Sequence, residues 1–190
     1  MDYFISDMHF GHEDRVKWDG RPFKNAAEMF SVMRERWNAR VKDDDDVWIV
    51  GDFTYYGEES DDNIIRYASS LNGRKHLIYG NHDVRIRSSE KLRSLFDECV
   101  YEKYIESDGK MFFLYHYPLV EWYRRPKGCY LIYGHIHGSL DDGFEFMSKH
   151  RKDEAFNAGV MINNYVPVTF EELRENNHKF QRQYFSGKGE

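Results

Sequence analysis

A chain of 190 residues with 41% hydrophobic and 32% charged side chains is long enough to bury one core and has the balance of a folded protein, which excludes disordered, fibrous and collagen-like classes. Its formal net charge of −6 argues against a protein that coats nucleic acid through a basic surface, while leaving small anionic substrates open. No apolar run approaches the ~20 residues of a membrane span, and the start Met1-Asp2-Tyr3-Phe4 lacks a secretion signal's basic n-region. Cys99 and Cys129 stand thirty residues apart with no CxxC pairing, so neither a disulfide framework nor a cysteine zinc knuckle is expected. The expectation is a cytoplasmic protein with one domain over residues 1–180 and a polar, fraying tail over 181–190.

In chain order, residues 3–5 are a short apolar run that stops at Ser6-Asp7. Ala26, Met29, Met33, Trp37 and Val41 recur at helical spacing, with Asn25 and Glu28 placed as a capping box. Residues 43–46 read as a solvated acidic turn before Val47-Trp48-Ile49-Val50, a buried strand that runs into Gly51-Asp52. A second helix after Ser60 carries Ile64, Ile65, Ala68 and Leu71 and is expected to stop at Asn72-Gly73. Residues 76–79 form a strand ahead of Gly80-Asn81-His82-Asp83, and Leu92, Leu95 and Phe96 mark a shorter third helix.

Residues 99–105 and 111–115 flank Ser107-Asp108-Gly109-Lys110 and read as an antiparallel hairpin, which makes the sheet mixed. The latter strand leads into Tyr115-His116, and residues 130–133 lead into Gly134-His135-Ile136-His137. Thr169 and Glu172 form a capping box that opens a last helix. Strands alternating with helices indicate an α/β layered domain with its functional loops at the carboxyl ends of the strands.

Five predicted strands therefore end in polar residues able to bind metal: Asp7, His9, Asp52, Asn81, His116, His135 and His137. Each cluster alone is weak, because a strand-end Asp or His is more often a capping or hydrogen-bonded core residue. Together they are oxygen and neutral-nitrogen donors that fall at one sheet edge, and burying them without cations would be costly. Seven donors without cysteine are too many for a closed four-ligand zinc site. They suit two ions about 3.5–4 Å apart that share a carboxylate, the geometry of in-line phosphoryl displacement.

Asp7-x-His9, Gly51-Asp52, Gly80-Asn81-His82-Asp83, His116 and Gly134-His135-x-His137, in that order, resemble the motifs of the calcineurin-like metallophosphoesterase superfamily. Phe10-Gly11-His12, Arg21-Pro22-Phe23 and Asn163-Asn164-Tyr165-Val166-Pro167 resemble its small bacterial and phage branch of predicted phosphoesterases. The resemblance implies a layered α/β/β/α sandwich of two mixed β-sheets flanked by helices. It also implies two divalent ions, manganese first, with iron, zinc or nickel as alternatives. One ion would be held by Asp7, His9, Asp52 and His137, the other by Asp52, Asn81, His116 and His135, with Asp52 shared. In-line attack by a metal-bridging hydroxide is implied as well, with His82 as the catalytic group beside the leaving group.

Where the phosphoprotein phosphatases carry Gly-Asp-x-x-Asp-Arg, this chain has Tyr55 and Tyr56 for the Asp and Arg, which disfavours that activity. His12, Arg85 and Trp122 are candidate substrate contacts, with Tyr117 and Tyr123 completing an aromatic wall; the bland alternatives are a structural histidine, a solvated basic face and core packing. The expected substrate is a small nucleotide-like or organic phosphate, as diester or monoester. The alternatives are a catalytically silent protein-binding scaffold and a nuclease. No membrane and no extended nucleic acid are expected as partners, and a homo-oligomer is open.

Overall fold

The computed structural model describes residues 1–55 and 60–186. Four parallel strands, β1 (Asp2–Ile5), β2 (Asp46–Ile49), β3 (Arg74–Ile78) and β4 (Glu98–Val100), form the first sheet in the order β1-β2-β3-β4. Val168 adds an antiparallel bridge onto Phe4. The second sheet is mixed, in the order β5-β6-β7-β8: β5 (Glu102–Ser107) is antiparallel to β6 (Lys110–Tyr115), and β7 (Tyr130–Tyr133) and β8 (Ala155–Asn157) follow in parallel. The β5–β6 hairpin closes through Asp108 and Gly109 at φ 47° and 71°, the paired left-handed conformation that matches strand twist.

The helices are α1 (Glu13–Trp18), α2 (Ala26–Arg40), α3 (Asp61–Ser69), α4 (Val84–Ser88), α5 (Glu90–Arg93), α6 (Asp142–His150) and α7 (Phe170–Ser186). Asn25 caps α2 by accepting from the Glu28 N–H at 2.8 Å, and Glu172 accepts from the Thr169 N–H at 2.9 Å at the start of α7. Both capping residues were legible from sequence. Period-two alternation then assigns each strand residue to a layer. Ile5, Ile49 and Leu77 face α2 and α3 and pack on Met29, Met33, Trp37 and Ile64. Phe4, Trp48 and Ile78 face the second sheet's Phe112, Leu114, Ile132 and Phe156. Phe113, Leu131 and Tyr133 point outward onto Phe144 and Met147 of α6. Helices, sheet, sheet and helices thus form the expected four layers, but of the two sheets expected to be mixed only the second is mixed in its strands; the first is parallel apart from the Val168 bridge.

Several elements differ from the sequence expectation. Residues 99–105 are not one hairpin strand: β4 ends at Val100 in the first sheet, and β5 starts at Glu102 in the second. Helix α3 stops at Ser69, three residues short of Asn72-Gly73, and the third helix is α5 alone, with Leu95 and Phe96 beyond it. Helix α7 continues through Gln181 to Ser186, held where Phe180 and Tyr184 pack on Phe144. Among the described residues, no helix is long and apolar enough to cross a membrane.

Candidate metal centre

The strands of the first sheet keep pairing past their ends, which brings two motif loops side by side. Asp7 N–H donates to Gly51 O at 3.1 Å, His9 N–H to Asp52 O at 3.0 Å and Phe10 N–H to Phe53 O at 3.0 Å. Five predicted donors, Asp7, His9, Asp52, His135 and His137, have φ between 50° and 72°, a left-handed backbone that non-glycine residues seldom adopt. Such a concentration of strain marks a site where side-chain aim outweighs local stability. Gly51, at φ 94°, lets His116 lie against the chain, because a Cβ there would fall 2.1 Å from its Nδ1. A Cβ on Gly134 would fall 1.8 Å from Ser6 Oγ and 2.8 Å from Asp7 Oδ2. These glycines of the motifs are room for ligands.

One ligand atom from each of Asp7, His9, Asp52 and His137 lies within 4.8 Å of the others, and the first three residues are buried. A second group adjoins it, with His116 buried and Asn81 and His135 exposed: Asn81 Oδ1 is 3.2 Å from His116 Nε2 and 3.1 Å from His135 Nδ1. Asp52 Oδ2 joins the two, 3.5 Å from His9 Nε2 and 3.4 Å from His116 Nε2. All seven predicted donors converge.

Their supporting bonds fit a cation. His116 Nδ1 is 2.9 Å from Val50 O and His137 Nδ1 is 2.9 Å from Asp19 Oδ2; both partners only accept, so each ring carries its proton on Nδ1 and turns Nε2 inward. His9 Nε2 and His137 Nε2 face each other at 3.1 Å, an arrangement that an ion between the ring nitrogens accommodates. Asp7 accepts from the His135 N–H at 3.0 Å and has Ser6 Oγ 2.8 Å from Oδ2. Burial, with the charges of His137 and Arg21, keeps His9 well below its usual pKa and ready as a neutral ligand. At His116 burial works against the charge, but the Asp52 and Asp7 carboxylates outweigh it and push the imidazole up to about 9. An incoming cation must displace that proton.

Asp83 supports the shared carboxylate through the backbone. Its buried carboxylate accepts from Asp52 N–H at 2.9 Å, Phe53 N–H at 3.0 Å and Gly80 N–H at 2.8 Å, tying the loop after β2 to the loop after β3. Burial first and the Asp52 charge second push it up to about 7. Asp52 Oδ1 in turn accepts from the His82 N–H at 2.9 Å, which fixes His82 beside the shared carboxylate.

The His82 ring sits 5.0 Å from that of His9, and burial lowers its pKa against the pull of Asp52. His12 is buried, stacks on Tyr55 at 3.7 Å and lies 6.5 Å from His82; burial and Arg15 depress it to about 4. Tyr55 thus fills the place of the absent aspartate with an aromatic face, 5.5 Å from His82. Tyr56 lies outside the described residues. Arg85 is ion-paired with Asp61 at 2.6 Å on the surface, which occupies the charge expected to meet substrate. Trp122 corrects the expectation of a stacking platform: it is buried in the outer core, and its indole N–H is spent on Cys129 O at 2.8 Å. Of the expected aromatic wall, Tyr117 lies beside the donors, 4.5 Å from the His135 ring, while Tyr123 packs on Tyr104.

Sequence reasoning assigned no role to Asp19, Arg21 or Asn157. Asp19 holds His137, and Asn157 Nδ2 donates to His137 O at 2.8 Å. At Asp19 burial opposes the charge, but His137 and Arg21 hold the carboxyl down at about 2. The place of Arg21 in Arg21-Pro22-Phe23, which resembles the small bacterial and phage branch, was the one available signal.

The sequence model of the calcineurin-like phosphoesterase family matches residues 3–137, a span that contains all seven donors. "Uncharacterized protein MJ1445" of Methanocaldococcus jannaschii is 32% identical over 169 residues, covering 89% of this chain and 86% of that protein. "Gene 66 protein" of Mycobacterium phage L5 is 27% identical over 183 residues, covering 83% of this chain and 85% of its own. Among solved structures, the protein of unknown function AQ665 from Aquifex aeolicus superposes with a TM-score of 0.71 at 31% identity, covering 92% of this chain and 98% of that one. With five motif loops meeting at one cluster and the family match spanning them, the chain belongs to the calcineurin-like phosphoesterase family.

Proposed function

We propose that this protein is a binuclear metal-dependent phosphoesterase acting on a small nucleotide-like or organic phosphate. The observation that carries the reading is the position of Asp52 Oδ2, 3.4–3.5 Å from a histidine of each donor group. Asp7, His9, Asp52 and His137 would hold one divalent ion and Asp52, Asn81, His116 and His135 the other. When bound, such a pair supplies Lewis-acid activation of water and neutralises phosphate charge. The chain's own residues do the rest: Val50 and Asp19 fix which ring nitrogens face inward, and Asp83 holds the loop that carries Asp52. His82 stands beside the shared carboxylate. A substrate phosphate next to it would offset the lowered pKa and let the ring protonate a departing alkoxide, an effect worth ~10²–10⁴-fold.

Hydrolysis of an aryl phosphodiester is expected with manganese, much less with magnesium because imidazole favours the softer ion, and not at all in excess chelator. Undiminished turnover by protein shown to be metal-free would contradict the reading. In the same assay His82→Ala should slow alkyl esters far more than nitrophenyl esters, whose leaving group needs no proton; equal losses would remove the proton-donor role.

Metal should also stabilise the fold, by ~2.7 kcal/mol at a hundred times its dissociation constant, or about 5–10 °C for a chain of this length. The gain should widen from pH 6 to pH 9. His116 is raised above its unfolded value of 6.5 to about 9, so its contribution to the metal-free fold is complete below 6.5 and is lost as pH rises through 9. Over the same interval the ion no longer competes with that proton. Melting curves with manganese and with chelator at each pH would show it, and a gain that shrinks with pH would rule out His116 as a ligand.

A further inference from the structure

Arg21 lies inside the protein with its guanidinium inaccessible, and its polar approach to a donor side chain is the 3.5 Å between Nη2 and His137 Nδ1. A charge buried this completely is costly unless every N–H is used. Here Nε and Nη2 both donate to Asp19 Oδ2, at 3.0 and 2.9 Å, while Nη1 donates to Met8 O at 2.9 Å and Nη2 to Asp7 O at 3.0 Å. One guanidinium therefore grips the backbone between Asp7 and His9, both in the left-handed conformation, and at the same time grips the carboxylate that orients His137. Asp19 is supplied by the C-cap of α1, and Arg15 from that helix reaches Asp19 Oδ1 at 3.4 Å. The arrangement reaches Asp7, His9 and His137 but none of Asn81, His116 or His135.

We infer that Asp19 and Arg21 are positioning residues that build one of the two ion sites selectively, the one formed by Asp7, His9, Asp52 and His137. The inference rests on the binuclear reading above. Asp19 fixes the His137 tautomer and ring angle and adds a negative charge behind the ring, making Nε2 a stronger donor. Arg21 prevents that carboxylate from turning toward the ion itself and holds the strained loop 7–9 in register with it. Losing such an outer partner typically weakens metal binding 10–100-fold.

The test is a calorimetric manganese titration of full-length wild type, Asp19→Asn and Asp19→Ala, beside ¹⁵N imidazole spectra and melting curves of the metal-free forms. Asp19→Asn keeps the shape and an acceptor for His137, so it guards against a variant that fails to fold. Expected are one site weakened 10–100-fold in Asp19→Ala and less in Asp19→Asn, the other site changed under threefold, and loss of the pure Nδ1–H tautomer at His137. The metal-free melting temperature of Asp19→Asn should stay near wild type. Two sites of wild-type affinity in both variants would overturn the inference alone. Equal weakening of both sites, together with a lower metal-free melting temperature, would do the same by showing a general structural role. Wild type that takes up no ion would overturn the binuclear reading and this inference with it.

Discussion

Asp52→Asn is expected to cut turnover by more than ~10³-fold with metal in excess, the scale of removing a central electrostatic element from an active site. The substitution is nearly isosteric, and its amide oxygen can keep the bond from the His82 N–H that Asp52 Oδ1 now accepts at 2.9 Å. What changes is the other oxygen. Oδ2 lies 3.5 Å from His9 Nε2 and 3.4 Å from His116 Nε2, so an NH₂ group there turns hydrogens on the space both donor groups surround, and the shared negative charge is gone. No other donor belongs to both groups. Changes at His137 or His135 should therefore cost less, since each leaves one group complete. Turnover and metal content measured on the same preparation decide the matter. Near-normal rate with two ions bound would mean that Asp52 is not shared.

Asp83→Ala is expected to lower folding stability by at least ~3 kcal/mol. It leaves the N–H groups of Asp52, Phe53 and Gly80 in a buried place without their acceptor, and each such orphan costs about 1–3 kcal/mol. Asp83→Asn keeps one acceptor oxygen and should lose less. Urea unfolding is the measurement: the midpoint should fall with an unchanged slope, because the surface exposed on unfolding is the same. A midpoint within experimental scatter of wild type would show that water replaces the carboxylate, and that the loop after β2 is not held by Asp83.

The site was the most legible part of the sequence because its chemistry sits in short local motifs. Each donor follows an apolar run that can only be a strand, and strand direction in a layered fold carries the donors to one edge. The capping residues of α2 and α7 were legible for the same reason: a cap is decided within three positions. What escaped depends on contacts between distant segments. Tyr101 gives no local sign that the chain leaves one sheet for the other, and β8, three residues long, is a strand only because β7 is beside it. Helices α1, α4 and α6 carry too few periodic apolar residues to stand out.

Trp122 misled for a related reason. Charged neighbours in sequence implied a solvated loop, yet Trp122 packs in the outer core and the partly exposed Arg125 lies over its ring, 5.6 Å from the centroid. Asp83 is adjacent to His82 in sequence, but its carboxylate serves the backbone of the facing loop. Asp19 and Arg21 precede any motif donor they serve by more than a hundred residues, except through the loop at 7–9, so only folding reveals the link.

The central claim is that two ions share Asp52, and counting the ions tests it most directly. Chelator-treated protein titrated with manganese in a calorimeter, with phosphodiesterase rate sampled at each addition, should bind two ions per chain, and turnover should rise with occupancy of the second. Saturation at one ion per chain with full activity would contradict the binuclear account.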